Sequence, residues 1–161
     1  MRLLVTRPEP ENARTAEALR ALGHDVVLAP LLRIEAIAGV EFGSGPWDAV
    51  LLTSGNAVRA LATHARHGEL AALPLYAVGE RSATAARDAG FARAEAAGGD
   101  VAALAAHVAA KLPQGSRLLY LAGEDRTGDL AGVLTDAGFV VDVVVTYRAV
   151  KETGLPDAVV R

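Results

Sequence analysis

The chain has 161 residues, of which 52% are hydrophobic and 22% are charged, and it contains no cysteine. Such a chain can bury a core, and the lack of cysteine excludes a disulfide framework, a thiolate metal site and a cysteine nucleophile. The formal net charge of -3 argues against a general binder of nucleic-acid backbones, since such proteins need a basic face.

Membrane insertion and secretion also find no support in the sequence. No apolar run is long enough to span a bilayer, and the N-terminal sequence "MRLLVTRPEPEN" turns polar too early for a signal peptide. We therefore expect a cytoplasmic protein with neither a membrane nor a nucleic acid as partner.

Short apolar segments alternate with amphipathic ones along the chain. The apolar segments predict strands at 2–6, 25–29, 48–53, 75–78, 91–96, 117–122 and 139–146. The amphipathic segments predict helices at 10–22, 56–66, 80–89, 100–112 and 128–137. Asp100 is the expected N-terminal cap of one of them. Three helices end at glycines that suit a left-handed C-terminal cap, namely Gly23, Gly90 and Gly138.

Strands that alternate with helices at this spacing predict a parallel sheet with right-handed crossovers. The strands are continuously apolar, which is typical of a sheet covered on both faces. The sequence therefore predicts an α/β fold.

Two segments break the alternation and read as linkers. Residues 30–47 are rich in glycine and proline, with one possible short strand at 33–37, and residues 146–161 show no clear element. We therefore predict two flavodoxin-like parallel-sheet domains, the second inserted into the first. Residues 1–35 would begin the first domain, 36–146 would form the inserted domain, and 147–161 would begin the return to an incomplete first domain.

Polar or glycine-containing loops follow four predicted strands. They are Thr6-Arg7-Pro8, Thr53-Ser54-Gly55-Asn56, Gly79-Glu80-Arg81-Ser82 and Ala122-Gly123-Glu124-Asp125-Arg126. In open parallel sheets, ligands bind at the carboxyl ends of strands, where free amides at helix N-termini favour anions. The same residue types also cap helices, and capping is the simpler interpretation of any single loop. Taken together, the four loops favour an anion-binding edge.

Nucleotide and metal motifs are not matched. Residues 123–130 have the glycine spacing of a phosphate loop, but Asp129 and Leu130 occupy the positions that require Lys and Ser or Thr. His64 and His67 share a predicted helix face without a third ligand nearby, so we expect them to be surface residues and expect no metal site.

Tyr147 directly follows the last buried strand, at the predicted crossing between domains. Clefts between domains are favoured ligand sites, which would give the phenol a functional role. The alternative is a tyrosine packed at a domain edge with its hydroxyl in water.

These segments resemble the N-terminal part of the uroporphyrinogen-III synthase family. The matching stretches follow the family order and cover nearly the whole chain: "LLVTRPEPENARTAEALRALGHDVVLAPLLRIE", "WDAVLLTSGNAVRAL", "LYAVGERSATAARDAGF", "RLLYLAGEDRTGDLAGVLTDAGFVV" and "VVVTYRAV". Similar enzymes have two α/β domains joined by a two-strand linker, one inserted into the other. They continue well past this point, so the resemblance implies a fragment of a longer enzyme or a truncated homologue.

The resemblance implies an activity. The family closes hydroxymethylbilane, a linear tetrapyrrole that carries eight carboxylates, with loss of water and inversion of its last ring. The proposed route passes through an azafulvene cation and a spiro intermediate, and no metal or cofactor takes part. We therefore expect a lyase that needs no cofactor. The full-length family implies a monomer, whereas an incomplete first domain could pair its exposed edge with a second copy.

The resemblance also assigns roles to residues. Tyr147 matches a tyrosine proposed to assist departure of the substrate hydroxyl, and Arg7 matches an arginine that faces the cleft. Two loops would hold substrate carboxylates, one around Thr53 and the other around Gly79. The substrate-binding residues implied are Arg7, Thr53, Ser54, Gly55, Asn56, Gly79, Ser82 and Gly123.

Two other classes stay open. The first is a non-catalytic tetrapyrrole-binding or regulatory domain that keeps the anion loops. The second is an α/β assembly module in which the polar loops are only caps. Ligand binding separates the first of these from the second, and turnover of hydroxymethylbilane separates an enzyme from a binding domain.

Overall fold

The computed structural model describes residues 1–160. The chain divides into two compact units, and each is described by itself. Unit 1 contains residues 1–35 together with the segment from Ala149 onward, and unit 2 contains Ala36–Arg148. Arg161, the last residue of the predicted return segment, lies outside the described residues. The prediction that these segments are independently folding domains, one inserted into the other, stays a prediction.

Unit 1 is built on a two-stranded parallel sheet. Strand β1 (Arg2–Val5) pairs with β2 (Asp25–Leu28), and helix α1 (Glu11–Ala21) connects them. Its buried core consists of Val5, Ala16 and Val26, against which Leu19 and Leu28 pack.

Strands β3 (Leu32–Ala36) and β8 (Val140–Lys151) are far apart in the sequence but pair with each other. The Ile37 amide donates to the Thr146 carbonyl, and the Glu152 amide donates to the Leu31 carbonyl, both at 2.9 Å. Between these two contacts the residue numbers rise along β3 and fall along β8, so the two strands are antiparallel. The short strand predicted at 33–37 is thus confirmed.

The end of the last predicted strand, placed at residue 146, is wrong, and the linker role of 146–161 stays a prediction. Strand β8 continues to Lys151, and residues Asp157–Val160 form the short helix α7. The continuous apolar run ends at Val145, so hydropathy alone ended the predicted strand there. The backbone of the later residues is instead held by pairing with β3, which is remote in sequence.

Unit 2 contains a parallel sheet, as the sequence predicts. Its remaining strands are β4 (Ala49–Leu52), β5 (Leu75–Ala77), β6 (Ala94–Ala96) and β7 (Arg117–Gly123). The order across the sheet is β3-β8-β7-β4-β5-β6, and the pairs from β8 to β6 are all parallel.

Five helices accompany this sheet. They are α2 (Asn56–Arg59), α3 (His67–Ala71), α4 (Glu80–Asp88), α5 (Val101–Lys111) and α6 (Leu130–Asp136). Asp100 caps α5 as predicted, because its carboxylate accepts a hydrogen bond of 2.7 Å from the Ala103 amide.

The sheet of unit 2 is covered on both faces. Every residue of β4 is fully buried. Val50 and Leu52 belong to one apolar cluster with residues of α2 and α4, whereas Ala49 and Leu51 belong to a second with residues of α5 and α6. This two-sided burial explains why the strand is continuously apolar.

The prediction of a single helix at 56–66 is wrong. The helix stops at Arg59, and the next hydrogen bonds join residues three apart, such as His64 to Leu61 and His67 to His64. The His64 ring holds the segment that follows the helix. Its Nδ1 accepts from the Arg66 amide at 3.1 Å, and its Nε2 lies 3.0 Å from the Val40 carbonyl oxygen.

The prediction that His64 and His67 are surface residues is also wrong. Both rings are half-buried and pack edge-on against phenylalanines, Phe42 and Phe91 respectively. The Nε2 atom of His67 lies 2.7 Å from the Ala89 carbonyl oxygen. These histidines therefore have structural roles. Over residues 1–160, no helix is long and apolar enough to cross a membrane.

Candidate functional site

The carboxyl ends of the parallel strands of unit 2 meet at one edge of the sheet. Leu52 at the end of β4 lies opposite both Ala77 of β5 and Leu121 of β7. In the same way, Gly123 of β7 lies opposite Tyr147 of β8. Three of the four loops that the sequence analysis selected leave β4, β5 and β7, so the topology gathers these three at this edge, whereas the loop Thr6-Arg7-Pro8 follows β1 in unit 1.

A pocket of about 290 Å³ opens at this edge, and we call it the Tyr147 pocket. Four of its lining residues were predicted from the sequence, namely Thr53, Ser54, Gly123 and Tyr147. Asp125 and Arg126 also line it and belong to the fourth candidate anion loop, although neither was named as a substrate-binding residue, and Thr127 was not predicted.

Tyr147 lies directly against the backbone of Gly123. A Cβ atom added to Gly123 would lie 2.7 Å from Cζ and 2.8 Å from Oη of Tyr147. Any side chain at position 123 would therefore displace the phenol ring. The Glu124 amide also donates to the Tyr147 carbonyl at 2.9 Å, which fixes the backbone at the same point.

A β-bulge in β8 orients this tyrosine. Ala122 lies opposite Val145, but the next residue, Gly123, lies opposite Tyr147, so Thr146 is an extra residue in β8. Thr146 is fully buried, and its hydroxyl donates to the Ala57 carbonyl at 3.2 Å. Bulges of this kind change the direction of the next side chain, and here that side chain is the phenol of the pocket.

We expect Gly123→Ala to lower the free energy of unfolding of the chain by about 1–3 kcal/mol, because the added methyl group overlaps the Tyr147 ring. Urea unfolding followed by the fluorescence of the buried Trp47 measures this change. Gly68→Ala is the matched control. Gly68 lies in a helix with nothing within 4 Å of its added Cβ, so this variant should be as stable as the parent or slightly more stable. Equal stabilities of the two variants would contradict a close packing of the ring on Gly123.

The hydroxyls of Thr53 and Ser54 have partners within the protein. Thr53 Oγ1 lies 3.2 Å from the Tyr120 hydroxyl, and Ser54 Oγ accepts from the Asn56 amide at 3.3 Å. Both side chains are half-buried and line the pocket. Ser54 thus forms a local turn of the capping type and also presents a hydroxyl at the pocket, so the two interpretations of this loop are compatible.

Gly55 and Asn56 do not line the Tyr147 pocket. A Cβ on Gly55 would lie 2.6 Å from the Cβ of Ala85 in α4, so glycine is needed here for packing between the loop and this helix. The Asn56 side-chain oxygen accepts a hydrogen bond of 2.6 Å from Arg59. The contacts of both residues are therefore structural.

Gly79, Ser82 and Arg7 also lie outside the pocket lining. Gly79 precedes α4 and Ser82 is a buried residue of its first turn, at the same edge of the sheet. Arg7 belongs to unit 1, where its guanidinium donates to the Thr15 hydroxyl at 3.2 Å.

Asp125, Arg126 and Thr127 lie in the loop between β7 and α6. The sequence analysis included the start of this loop among the anion loops but selected only its glycine. A larger pocket of about 410 Å³ adjoins the same loop, and its lining includes Tyr120, Glu124 and Asp129. Asp125 and Arg126 line both pockets. Strand-end position was the signal that could have identified these residues.

No metal centre accompanies the pocket. Among the residues that the structure describes, no group of three or more His, Cys, Asp or Glu is placed to hold an ion. A charged group elsewhere, Glu95 with His107 and Lys111, is a surface ion-pair cluster. Hydrogen bonds from Lys111 and then His107 hold the pKa of the Glu95 carboxyl below its usual value.

Comparisons with known proteins match nearly the whole length of the chain. The family model described as uroporphyrinogen-III synthase HemD matches residues 13–161. The crystal structure of uroporphyrinogen-III synthetase from Helicobacter pylori 26695 is similar with a TM-score of 0.64 and 20% identity, over 98% of this chain and 66% of that one. A mutant uroporphyrinogen III synthase from Thermus thermophilus gives a TM-score of 0.60 and 22% identity, over 94% of this chain and 64% of that one. No curated protein sequence matches.

The two structural matches support the α/β fold with predominantly parallel sheets. The chain spans slightly less than two thirds of the length of either solved protein.

Proposed function

Because the chain belongs to the uroporphyrinogen-III synthase family, we propose that it carries part of the machinery that closes hydroxymethylbilane with loss of water and inversion of the last pyrrole ring. The observation that carries this proposal is the Tyr147 pocket, where one phenol and three residues with aliphatic hydroxyls, Thr53, Ser54 and Thr127, meet at the carboxyl edge of a parallel sheet. We place this lyase activity in the cytoplasm, without a metal or cofactor.

In this proposal Tyr147 is the catalytic residue. Loss of water requires a proton for the departing hydroxyl, and a phenol held beside it can donate one or stabilise it by a hydrogen bond. The packing of the ring on Gly123 and the bulge at Thr146 would hold that phenol in one orientation. A fixed position matters because much of the catalysis would be orientation, since the pyrroles of the substrate supply the electrons.

Substrate carboxylates would be bound by hydroxyl and amide donors at the same edge. Thr53 and Ser54 line the pocket and supply hydroxyls, and the backbone at Gly123 lies between them and Tyr147. Gly79 and Ser82, at the start of α4, are proposed as a second carboxylate position on the same sheet edge. Arg7, Gly55 and Asn56 remain in the proposed set on the family resemblance alone.

We expect the isolated 161-residue chain to have little or no activity. It spans less than two thirds of the solved relatives, and unit 1 has only a small apolar core. The assay is cyclisation of hydroxymethylbilane, scored as the ratio of inverted isomer to the uninverted isomer that forms spontaneously. Robust formation of the inverted isomer by this chain would contradict the prediction of low activity and support the proposed reaction outright.

A non-catalytic tetrapyrrole-binding or regulatory domain is the second candidate, favoured by the same small core of unit 1. The two candidates differ in one measurement. Both predict that the chain binds the cyclised product, uroporphyrinogen III, but only the enzyme predicts the inverted isomer when the chain is extended to the length of its relatives. Failure to bind would contradict both.

A further inference from the structure

One arginine lies between the two pockets of unit 2. Arg126, in the loop between β7 and α6, lines the Tyr147 pocket of about 290 Å³ and also the adjoining pocket of about 410 Å³. The only other charged residue in the lining of the Tyr147 pocket is Asp125. Arg126 is therefore the single cation of that pocket.

The positive charge of Arg126 is not paired with an acidic side chain among the described residues. Arg66 pairs with Glu69 at 2.7 Å, and Arg117 pairs with Asp142 at 2.8 Å. By contrast, the Arg126 side chain takes part in no hydrogen bond or ion pair among residues 1–160, and its neighbour Asp125 is not within ion-pair distance of it.

The loop does not depend on Arg126 for its conformation. At its start, the Glu124 amide is bonded to the Tyr147 carbonyl. At its end, the Asp129 carboxylate accepts a hydrogen bond of 3.0 Å from the Gly132 amide. Both ends are thus fixed by other residues, and a purely structural role for the guanidinium has no contact to support it.

We propose that Arg126 binds a carboxylate of the tetrapyrrole and gives the site its preference for a carboxylate-rich ligand, an inference that rests on the function proposed above. A guanidinium matches a carboxylate with two parallel charge-assisted hydrogen bonds, which are stronger than bonds between neutral groups. The other side-chain donors in the lining of the Tyr147 pocket are hydroxyls, so Arg126 would contribute the one ionic contact there.

The test is the affinity of the 161-residue chain for uroporphyrinogen III, measured without oxygen at low and at high ionic strength. Arg126→Gln should weaken binding about tenfold or more, because a hydrogen bond to a charged group is lost. Arg126→Lys should lie between, since it keeps the charge and loses the planar fork. Added salt should weaken the parent chain more than the Gln variant, because salt screens an ionic contact.

Arg93→Gln is the matched control. Arg93 is an exposed arginine of the same unit and lines neither pocket. It immediately precedes β6, so it lies at the amino ends of the parallel strands, whereas the Tyr147 pocket lies at their carboxyl ends. Its substitution should leave affinity within about twofold, as expected for a distant and screened charge. Thermal unfolding of Arg126→Gln should match that of the parent, because no intramolecular bond is removed.

Two further outcomes would separate a failure of the role of Arg126 from a failure of the proposed function. Binding by the parent chain with no loss in Arg126→Gln, or an equal loss in Arg93→Gln, overturns the role of Arg126 and leaves the proposed function standing. A parent chain that does not bind uroporphyrinogen III overturns both.

Discussion

Replacing Tyr147 with phenylalanine is expected to slow formation of the inverted isomer about a hundredfold or more, in a form of the protein extended to the length of its relatives. The change removes only the hydroxyl. The phenylalanine ring can still pack on Gly123, so the pocket keeps its shape. Single-turnover rates with hydroxymethylbilane, together with the isomer ratio, measure the effect on the chemical step apart from binding.

Tyr76→Phe is the control for this substitution. Tyr76 is a buried tyrosine of β5 that packs edge-on against His107 and does not line the Tyr147 pocket. Its loss should leave the rate unchanged within the scatter of the assay. If Tyr147→Phe is as fast as the parent, the tyrosine is a packing residue and the proposed proton donor lies elsewhere.

The second large effect concerns folding. Residues 36–148 alone are expected to fold cooperatively, with nearly the same urea midpoint as the whole chain. The reason is the sheet of unit 2, whose central strands are buried on both faces, whereas unit 1 has a buried core cluster of only three residues. A two-stranded sheet with one helix removes too little apolar surface from water to fold alone.

Trp47 makes this measurement direct. It is the only tryptophan, it belongs to unit 2, and it is 5% exposed. Its fluorescence therefore reports the unfolding of unit 2 in both the whole chain and the shorter one. An unfolded 36–148 chain, or a large drop in its midpoint, would mean that unit 1 contributes essential stability. The prediction of an inserted, self-sufficient domain would then fail.

Elements with strong hydropathy were predictable from the sequence. Strands such as β4 and β7 are continuously apolar because helices cover both of their faces. Their burial can therefore be inferred from the hydropathy of the sequence alone. Elements that depend on a remote partner were not. The second half of β8 is held by β3, and the segment after the short helix α2 is held in part by a hydrogen bond between His64 and Val40, a residue much earlier in the chain.

The residues of the Tyr147 pocket also differ in how far the sequence could predict them. Thr53, Ser54, Gly123 and Tyr147 were selected because the ends of parallel strands meet at one edge, a rule that needs only strand positions. Asp125 and Arg126 belong to a loop that the same rule selected, but only Gly123 of that loop was assigned a role, and Thr127 lies one residue beyond the loop as it was predicted. The reason for glycine at position 123 also lies beyond the sequence, because the ring that excludes a side chain there belongs to a different strand.

The extra residue in β8 has a consequence for any attempt to transfer this site. Thr146 adds one residue to β8 relative to β7, yet Val144 and Tyr147 pack in the same apolar cluster, so the bulge absorbs the extra residue and the faces of the strand are unchanged beyond it. A graft that copies Tyr147 and Gly123 onto another parallel sheet but omits the inserted threonine would keep the phenol on the same face and lose the buried hydrogen bond to Ala57 that holds the strand there. Deletion of Thr146 should therefore be less damaging than deletion of a regular residue of β8, which would move the residues beyond it to the other face.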